Sequence, residues 1–164
     1  MNRSDVLLTE CMRLGMNVRG DVPVDQIETI LETATIPVRI ACMTPGEKLW
    51  MLSLWFLYRD GKLHCATSKQ ADVIRYLTAN EHVAFEISTN DPPYSGVRGN
   101  GETSIADDPN KELLRTLLER YLGSTKTPLA RRLLSDDREE VTISIEPSVV
   151  FGWDYSDRMS GTSD

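Results

Sequence analysis

The chain has 164 residues, of which 40% are apolar, and this length and composition suit one domain built on one hydrophobic core. Lys and Arg number 18 against 25 Asp and Glu, which gives a formal net charge of −7 at pH 7. Because a nucleic-acid binder needs a basic face to displace counterions from phosphates, this acidic balance excludes a nucleic-acid partner.

Cysteine usage and hydropathy indicate the compartment. The three cysteines, Cys11, Cys42 and Cys65, have no Cys-x-x-Cys spacing, and an odd number suits a reducing environment better than a disulfide framework. No segment approaches the roughly 20 apolar residues that a membrane span needs. We therefore expect a soluble, cytoplasmic protein with no membrane contact.

Residues 1–35 are predicted to form packing helices that carry no site. Ser4 can cap a helix over residues 5–14, and Gly15 lies where a left-handed residue ends such a helix. A second helix is predicted over residues 24–33, because apolar residues recur there at spacings of three and four.

From residue 37 the pattern has the period of strands. Asp60 and Gly61 form a pair that tight hairpin turns favour, so the strands on either side should form a hairpin. In chain order, the predicted strands cover residues 37–43, 49–58, 63–66, 82–89, 97–106 and 141–145, with a last extended segment over 149–154.

Three helices are predicted between these strands. A capping-box spacing begins the first, and an acidic or hydroxyl residue followed by proline begins the second and third. They cover residues 68–78, which Thr67 begins and Gln70 supports, residues 109–122, which follow Asp108, and residues 128–134, which follow Thr127.

Short hairpin connections and helices inserted between groups of strands indicate a mainly β, antiparallel domain with peripheral α-helices, closed into a small barrel. The regular strand and helix alternation of a doubly wound parallel sheet is missing, which excludes a Rossmann domain. We assign residues 36–159 to the barrel domain and residues 160–164 to a disordered tail.

The second predicted strand is apolar on both faces. Trp50, Leu52 and Leu54 face one way, while Met51 and Trp55 face the other. Because an antiparallel strand normally keeps one face wet, something must cover the outer face of this strand. A helix of the same chain, a second subunit and a ligand are the alternatives.

Two short segments could serve a ligand. Gly99 and Gly101 fall on one strand face, where missing side chains let a planar ring or another backbone approach; a bend in the barrel explains them equally well. Thr67, Ser68 and Lys69 lie where a strand ends and a helix begins, a place that can bind phosphate, although an ordinary capped helix has the same pattern.

Metal sites and hydrolytic nucleophiles have little support. His64 and Cys65 are neighbours in one strand and point to opposite faces, so both cannot hold one zinc ion. His82 is the one other histidine. Cys42 lies in an apolar strand and is interpreted as a small buried hydrophobe. We predict no metal ligands and assign no catalytic residue.

Several segments together resemble the pyridoxamine 5'-phosphate oxidase-like family of flavin-binding split barrels. The likeness lies in the order and spacing of the segments and covers residues 36–159. The similar segments are Pro37 to Ala41, Leu54 to Phe56 with Asp60-Gly61, Ala66 to Ser68, Tyr76 to Asn80 before Val83, Pro92 to Tyr94 with Gly96 to Gly99, and Pro147 with Trp153 to Arg158.

The resemblance implies a six-stranded antiparallel split β-barrel that forms a homodimer with two flavin mononucleotide (FMN) sites at the subunit interface. It also implies a small-molecule substrate, with Arg158 matching a position that contacts the substrate's phosphate. By position in this family, the cofactor-binding residues are Arg39, Ile40, Ala41, Cys42, Trp55, Ala66, Thr67, Ser68, Lys69, Arg98 and Trp153.

Within that set, the resemblance places residues 39–42 along the isoalloxazine ring and its pyrimidine edge, and Thr67 and Ser68 at the phosphate. Trp153 would come from the other subunit to cover the cofactor. One departure concerns the phosphate: Val73 stands where family members have a lysine, and Asp72 is beside it. Lys69 and Arg75 are the basic residues available to replace that lysine.

The function that follows is an FMN-dependent oxidoreductase whose substrate the sequence does not identify. The alternative from another class is a non-catalytic split barrel that binds or senses flavin, the deazaflavin F420 or haem. A structural dimer whose cofactor site has decayed is a third alternative, and the Val73 departure favours it.

Overall fold

The computed structural model describes residues 17–161. The helix predicted over residues 5–14, Cys11 and residues 162–164 lie outside this range. The strands are β1 (Asn17–Arg19), β2 (Val38–Met43), β3 (Leu49–Leu54), β4 (Phe56–Arg59), β5 (Lys62–Ser68), β6 (His82–Ser88), β7 (Ser95–Asp107) and β8 (Glu140–Asp154). The helices are α1 (Val24–Thr33), α2 (Asp72–Ala79), α3 (Glu112–Leu122), α4 (Pro128–Leu133) and α5 (Ser156–Ser160).

The eight described strands form one sheet in the order β3-β2-β6-β7-β8-β5-β4, with β1 beside β8. β1 runs parallel to β8, and the pairs along the path are antiparallel. The two edge strands of the path, β3 and β4, are consecutive halves of one extended segment that is interrupted at Trp55. The sheet therefore curls until its two edges come together at one residue, which produces a split barrel.

The predicted mainly β fold is confirmed, and the strand count of six is corrected to eight. Trp55 divides the predicted second strand, because its first half pairs with β2 and its second half with β5. The predicted sixth strand and the last extended segment are one continuous strand, β8. The short parallel strand β1, which has no sequence signal of its own, is the eighth.

The interior of the barrel is the main hydrophobic core. α1 buries Ile27 in it and α2 buries Val73, beside Ile40 and Cys42 of β2 and Cys65 of β5. Burial raises the pKa of the Cys42 thiol and raises the pKa of Cys65 to about 12. Both thiols therefore stay protonated at neutral pH, and Cys42 is the small buried hydrophobe that the sequence predicts.

The outer surface of the barrel has two different halves. α3 and α4 pack over β5, where buried Leu118 belongs to a second small core that includes Trp55 and Ala66. On the other half, Leu49 is 79% exposed and Met51 is 65% exposed. We call the outer surface of β3, β2, β6 and β7 the open face.

No helix within residues 17–161 has the length and apolar character needed to cross a membrane. The longest described helix, α3, has 11 residues. This is far below the roughly 20 residues that a span requires.

Helix α2 begins later than the sequence predicts. Thr67 and Ser68 do not cap it, because they pair with Val141 and Glu140 of β8 and so extend β5. The helix begins at Asp72, and Ala71 is its N-cap without a side-chain hydrogen bond. The capping-box prediction is therefore wrong: pairing with β8 outcompetes the local cap.

The glycines of β7 serve backbone packing. The register of β7 against β8 shifts between Asn100 and Gly101, which is the position of a β-bulge that tightens the curl of the sheet. A Cβ on Gly99 would fall against the carbonyl oxygen of Val149 and 2.9 Å from Cζ of Phe85. Of the two alternatives from the sequence, the bend in the barrel is the one that these contacts favour.

Gly99→Ala should lower the free energy of unfolding by about 1–3 kcal/mol, the usual cost of forcing extra atoms into a packed position. Gly46→Ala is the matched control, since its Cβ would meet only Thr44 Oγ1 at 3.9 Å. Urea denaturation of the two variants checks this. Equal midpoints for both would contradict the close approach at Gly99.

Candidate functional site

Predicted site residues line three hollows of the molecule, and the predicted phosphate segment, Thr67 to Lys69, lies outside these three at the end of β5. Arg39 and Ala41 lie on the open face, Trp55 and Ala66 lie beneath α3 and α4, and Trp153 lies near the C-terminal helix.

A row of paired residues crosses the open face. Partners in antiparallel strands carry their side chains on the same face, and the register pairs Ser53 with Arg39, Arg39 with Glu86, Glu86 with Arg98, and Arg98 with Phe151. We call this set the charged row. One glutamate between two arginines leaves the row with a net positive charge.

Arg39 is held firmly within the charged row. Its guanidinium donates to Ser88 Oγ at 2.9 Å and to Asn90 Oδ1 at 2.6 Å, and it lies 3.7 Å from Glu86 Oε1. Ser88 donates in turn to Glu86 at 2.8 Å. A guanidinium fixed in this way presents its remaining N–H groups in one orientation, which suits recognition of carbonyl or anionic oxygens.

Beside the charged row, the open face has a floor of small side chains. Ala41 pairs with Ala84, and the two alanines lie between Met51 and the Arg39–Glu86 pair around a hollow of about 170 Å³. A floor of methyl groups leaves room for a flat ring to lie against the sheet. We call this place the alanine floor.

Ile40 and Cys42 were predicted at the cofactor together with Arg39 and Ala41. The structure places the side chain of Ile40 at 0% exposure and that of Cys42 at 3%, both in the main core. Alternation along β2 therefore sends Arg39 and Ala41 outward and the other two inward. Only the backbone of Ile40 and Cys42 is available to a ligand on the open face.

The second place, which we call the strand-break hollow, lies where β3 and β4 separate. Trp55 stacks on Tyr121 of α3 with ring centroids 5.1 Å apart. Its hollow of about 200 Å³ is lined by apolar side chains of the strands and of α3 and α4, and by one ion pair. The lining residues are Pro37, Ser53, Leu54, Trp55, Ala66, Leu114, Leu117, Leu133, Arg138 and Glu140.

The predicted phosphate segment is close to the end of β5. Ser68 Oγ accepts from the backbone N–H of Gln70 at 3.3 Å, and Lys69 Nζ lies 2.9 Å from Asp107 Oδ1. This contact raises the pKa of Lys69, first through the hydrogen bond to Asp107. Arg75, the other basic residue available, lies 3.5 Å from Asp72. Both cations therefore have aspartate partners.

Val73, where the family has a lysine, is 4% exposed and belongs to the main core. A lysine at this position would have to bury its ammonium among apolar side chains, which is costly. A valine therefore suits the side of α2 that packs against the main core. The phosphate of a cofactor would depend on the end of β5 and on Lys69.

The third place, the C-terminal hollow, brings together Arg98, Trp153 and Arg158 around a volume of about 630 Å³. Trp153 lies 5.1 Å from the ring of Tyr155, and the guanidinium of Arg158 lies 5.4 Å above that ring. The Trp153 Nε1 group is buried without a hydrogen-bond partner. The hollow thus combines aromatic faces, cations and one free N–H donor.

The two histidines lie in different surroundings, and His82 belongs with Glu81 and Glu102 to an exposed group whose possible ligand atoms lie within 4.8 Å of one another. His64 Nδ1 lies 2.9 Å from Ser144 Oγ and Nε2 lies 3.2 Å from the carbonyl oxygen of Arg59. Burial lowers the pKa of His64, so the neutral ring donates to the carbonyl and accepts from Ser144. His82 lies on the surface, 3.8 Å from Glu102 Oε1.

Two buried charges escaped the sequence analysis. Lys111 is 7% exposed and donates to the carbonyl oxygens of Leu134 and Ser135 at the end of α4. Glu140 is 3% exposed and pairs with Arg138. The predicted pair of helices was the one sequence feature that pointed to this burial. Helices that cover the outer face of β5 and β8 also bury the polar residues beneath them.

Neither a scan against protein-family models nor a search of curated proteins finds a match for this sequence. Solved structures do match its fold. An F420 reductase is 23% identical, with a TM-score of 0.67 over 79% of this chain and 98% of its own. A conserved hypothetical protein from Mycobacterium tuberculosis is 19% identical, with a TM-score of 0.68 over 88% of this chain and 93% of its own.

Further structures with the same fold differ in what they are named to bind. A candidate pyridoxamine 5'-phosphate oxidase from Listeria innocua is 18% identical, with a TM-score of 0.56 over 80% of this chain and 97% of its own. An FAD-binding protein from Mesorhizobium loti and the haem storage protein of Vibrio cholerae have TM-scores of 0.57 and 0.58, at 19% and 12% identity. The resemblance to split barrels is thereby confirmed for the fold.

Proposed function

We propose that this chain, which has the fold of the pyridoxamine 5'-phosphate oxidase-like split barrels, is a homodimeric flavin-binding oxidoreductase. The observation that carries the proposal is the alanine floor, a flat strip of open sheet beside an immobilised arginine. Such a surface suits an aromatic ring with carbonyl oxygens along one edge. Arg39 would donate to that edge while Ala41 and Ala84 support the ring.

The alanine floor makes only half of a binding site. Its volume of about 170 Å³ is below the ~300–1,000 Å³ of typical ligand pockets. A ring bound there needs a second wall on the side that faces solvent. A second copy of the chain can supply that wall, since the C-terminal hollow presents the aromatic Trp153 and the cations Arg98 and Arg158.

The exposed apolar side chains of β3 support the same arrangement. Leu49 and Met51 border the alanine floor and are largely exposed in one subunit. Exposed apolar surface of this kind commonly marks an interaction site. Dimerisation through the open face would bury these side chains and close the cofactor site in one step. Of the alternatives for the doubly apolar strand, a second subunit is the one we propose.

The chemistry would belong to the cofactor. A bound flavin supplies hydride or electron transfer, and the protein contributes orientation, hydrogen bonds to the ring and exclusion of water. Fixed donors such as Arg39 also stabilise negative charge on the ring edge when the flavin is reduced. We assign no acid or base to the chain.

FMN is the first candidate cofactor, and the deazaflavin F420 is the second. The terminal phosphate of FMN carries up to two negative charges, and it would compete with Asp107 for Lys69. The phosphodiester of F420 carries one negative charge and therefore needs fewer cationic partners in this segment. The fold similarity to an F420 reductase also favours the second candidate.

Filling the alanine floor should weaken cofactor binding. Ala84→Leu places three more carbon atoms on the floor, so we expect its affinity for the preferred flavin to fall at least about tenfold, the effect of roughly 1.4 kcal/mol. Ala106→Leu, an exposed alanine of β7, is the matched control. Titration with FMN, F420 and haem, followed by visible absorbance, measures the affinities.

The same titration distinguishes the functions. A flavin band that bleaches with a reduced nicotinamide supports the oxidoreductase, while a flavin that binds but stays oxidised supports the non-catalytic alternative. A sharp Soret band with haem, together with no flavin uptake, would replace flavin by haem. A protein that takes up none of the three would contradict the proposal and favour a decayed site.

Lys69 and Asp107 should affect FMN affinity in opposite directions. Their pair is exposed, and such pairs contribute only about 0–1 kcal/mol, so a phosphate can displace Asp107. Asp107→Asn should therefore tighten FMN binding, and Lys69→Gln should weaken it. Lys126→Gln, at an exposed lysine in the loop before α4, is the control. Unchanged affinity in both test variants would place the phosphate elsewhere.

Light scattering tests the dimer independently of any cofactor. We expect a dimer at micromolar concentration, and we expect Met51→Asp to produce monomers because it puts a charge into the proposed apolar interface. Leu129→Asp is the matched control, since Leu129 is an exposed leucine on α4, away from the open face. A monomeric wild type would contradict the interface even if flavin binds.

A further inference from the structure

Glu140 stands at an unusual place for a carboxylate. It begins β8 opposite Ser68, and its backbone carbonyl accepts from the N–H of Asp108 at 3.0 Å. Its side chain is 0% exposed and lies beneath the helix pair that covers this half of the barrel. Buried carboxylates are rare unless every oxygen has a partner.

Only one oxygen of this carboxylate is satisfied within the described residues. Oε1 accepts from Nε of Arg138. Oε2 is buried and has no hydrogen-bond partner. An ionised carboxylate accepts several hydrogen bonds, and leaving such a group unsatisfied in a dry place costs free energy. The free oxygen therefore indicates a missing donor.

Glu140 also lines the strand-break hollow, whose other walls are chiefly apolar. Trp55, Leu114, Leu117 and Leu133 surround it. Its volume of about 200 Å³ exceeds the ~150 Å³ of an apolar cavity that binds benzene. A chiefly apolar wall with one convergent polar group is the usual design of a small-molecule pocket.

The charges restrict the class of ligand. Arg138 and Glu140 neutralise each other, and they are the two charged residues that line the hollow. A charged ligand would be desolvated there without a counterion of its own. A neutral ligand avoids this penalty, and an N–H or O–H group on it would satisfy Oε2.

We propose that the strand-break hollow is a binding pocket for a small neutral aromatic molecule with one N–H or O–H donor, such as a phenol or an indole. The ring packs against Trp55 and the leucines, and the donor bonds to Glu140. The pocket lies under α3 and α4, apart from the alanine floor on which the proposed flavin site rests, and it includes Trp55 and Ala66, which only the family resemblance places at the cofactor.

A matched pair of fluorinated probes tests the pocket. 4-Fluorophenol and 4-fluorotoluene have similar size and shape, but only the phenol carries a donor. We expect the full chain to bind the phenol at least about tenfold more tightly in ¹⁹F NMR titrations, because hydrogen bonds to ionised acceptors are strong. Equal affinities, or no binding of either probe, would overturn the proposal.

Two variants locate the binding. Ala66→Leu fills the hollow and should abolish binding of both probes. Ala106→Leu is its control, because Ala66 and Ala106 pair with the same residue, Thr142, from opposite sides, and only Ala66 lines the hollow. Binding that survives Ala66→Leu would place the probes elsewhere and overturn the assignment.

Glu140→Gln tests the acceptor itself. The substitution replaces an ionised acceptor by a neutral amide oxygen, so the ratio of 4-fluorophenol affinity to 4-fluorotoluene affinity should fall at least about threefold. The affinity for 4-fluorotoluene should change little. An undiminished preference in a folded variant would overturn the role of Glu140. If the variant does not fold, the comparison of the two probes on the wild type, together with Ala66→Leu, decides the proposal.

Discussion

The interruption at Trp55 is the constraint on which the rest of the structure depends. The first half of this extended segment, β3, pairs with β2, and its second half, β4, pairs with β5. Because the two partners lie at opposite ends of the sheet, the segment must turn where it leaves the first one. That turn brings the two sheet edges together and closes the barrel. It also leaves a gap in the wall, which Trp55 fills by stacking on Tyr121 from α3.

The two halves of the outer surface follow from this closure. α3 and α4 seal the side where the gap lies and bury Glu140 and Lys111 beneath them. These helices leave the opposite side, the open face, with its alanine floor and charged row in contact with solvent. A covered half with a buried carboxylate suits a small enclosed ligand. An uncovered half with a fixed arginine suits the flat ligand that we propose, which a second subunit would enclose.

Sequence patterns predicted the parts of the fold that local interactions decide. α1 has the predicted bounds, Val24–Thr33, because its apolar spacing and its packing agree. α2 and the second strand were wrong at their boundaries, because distant partners decide them: β8 holds Thr67 and Ser68 in β5, and two different neighbours split the strand at Trp55. For the candidate site, the alternation of side chains along β2 is enough to predict that Arg39 and Ile40 face opposite ways. The burial of Glu140 could not be predicted in this way, because the helices that cover it are placed there by the tertiary structure.

The predicted phosphate segment shows why the fold alone does not determine the cofactor. Val73 is packed in the core, so its side chain contributes to folding whether or not a ligand binds. Lys69 instead holds an exposed pair with Asp107, and exposed pairs contribute little to folding. A substitution at Lys69 or Asp107 should therefore change the charge of this segment while the barrel stays folded. Structures that share this fold are named for F420, FAD and haem, and under the proposed function the charge around Lys69 would select among phosphate-bearing cofactors.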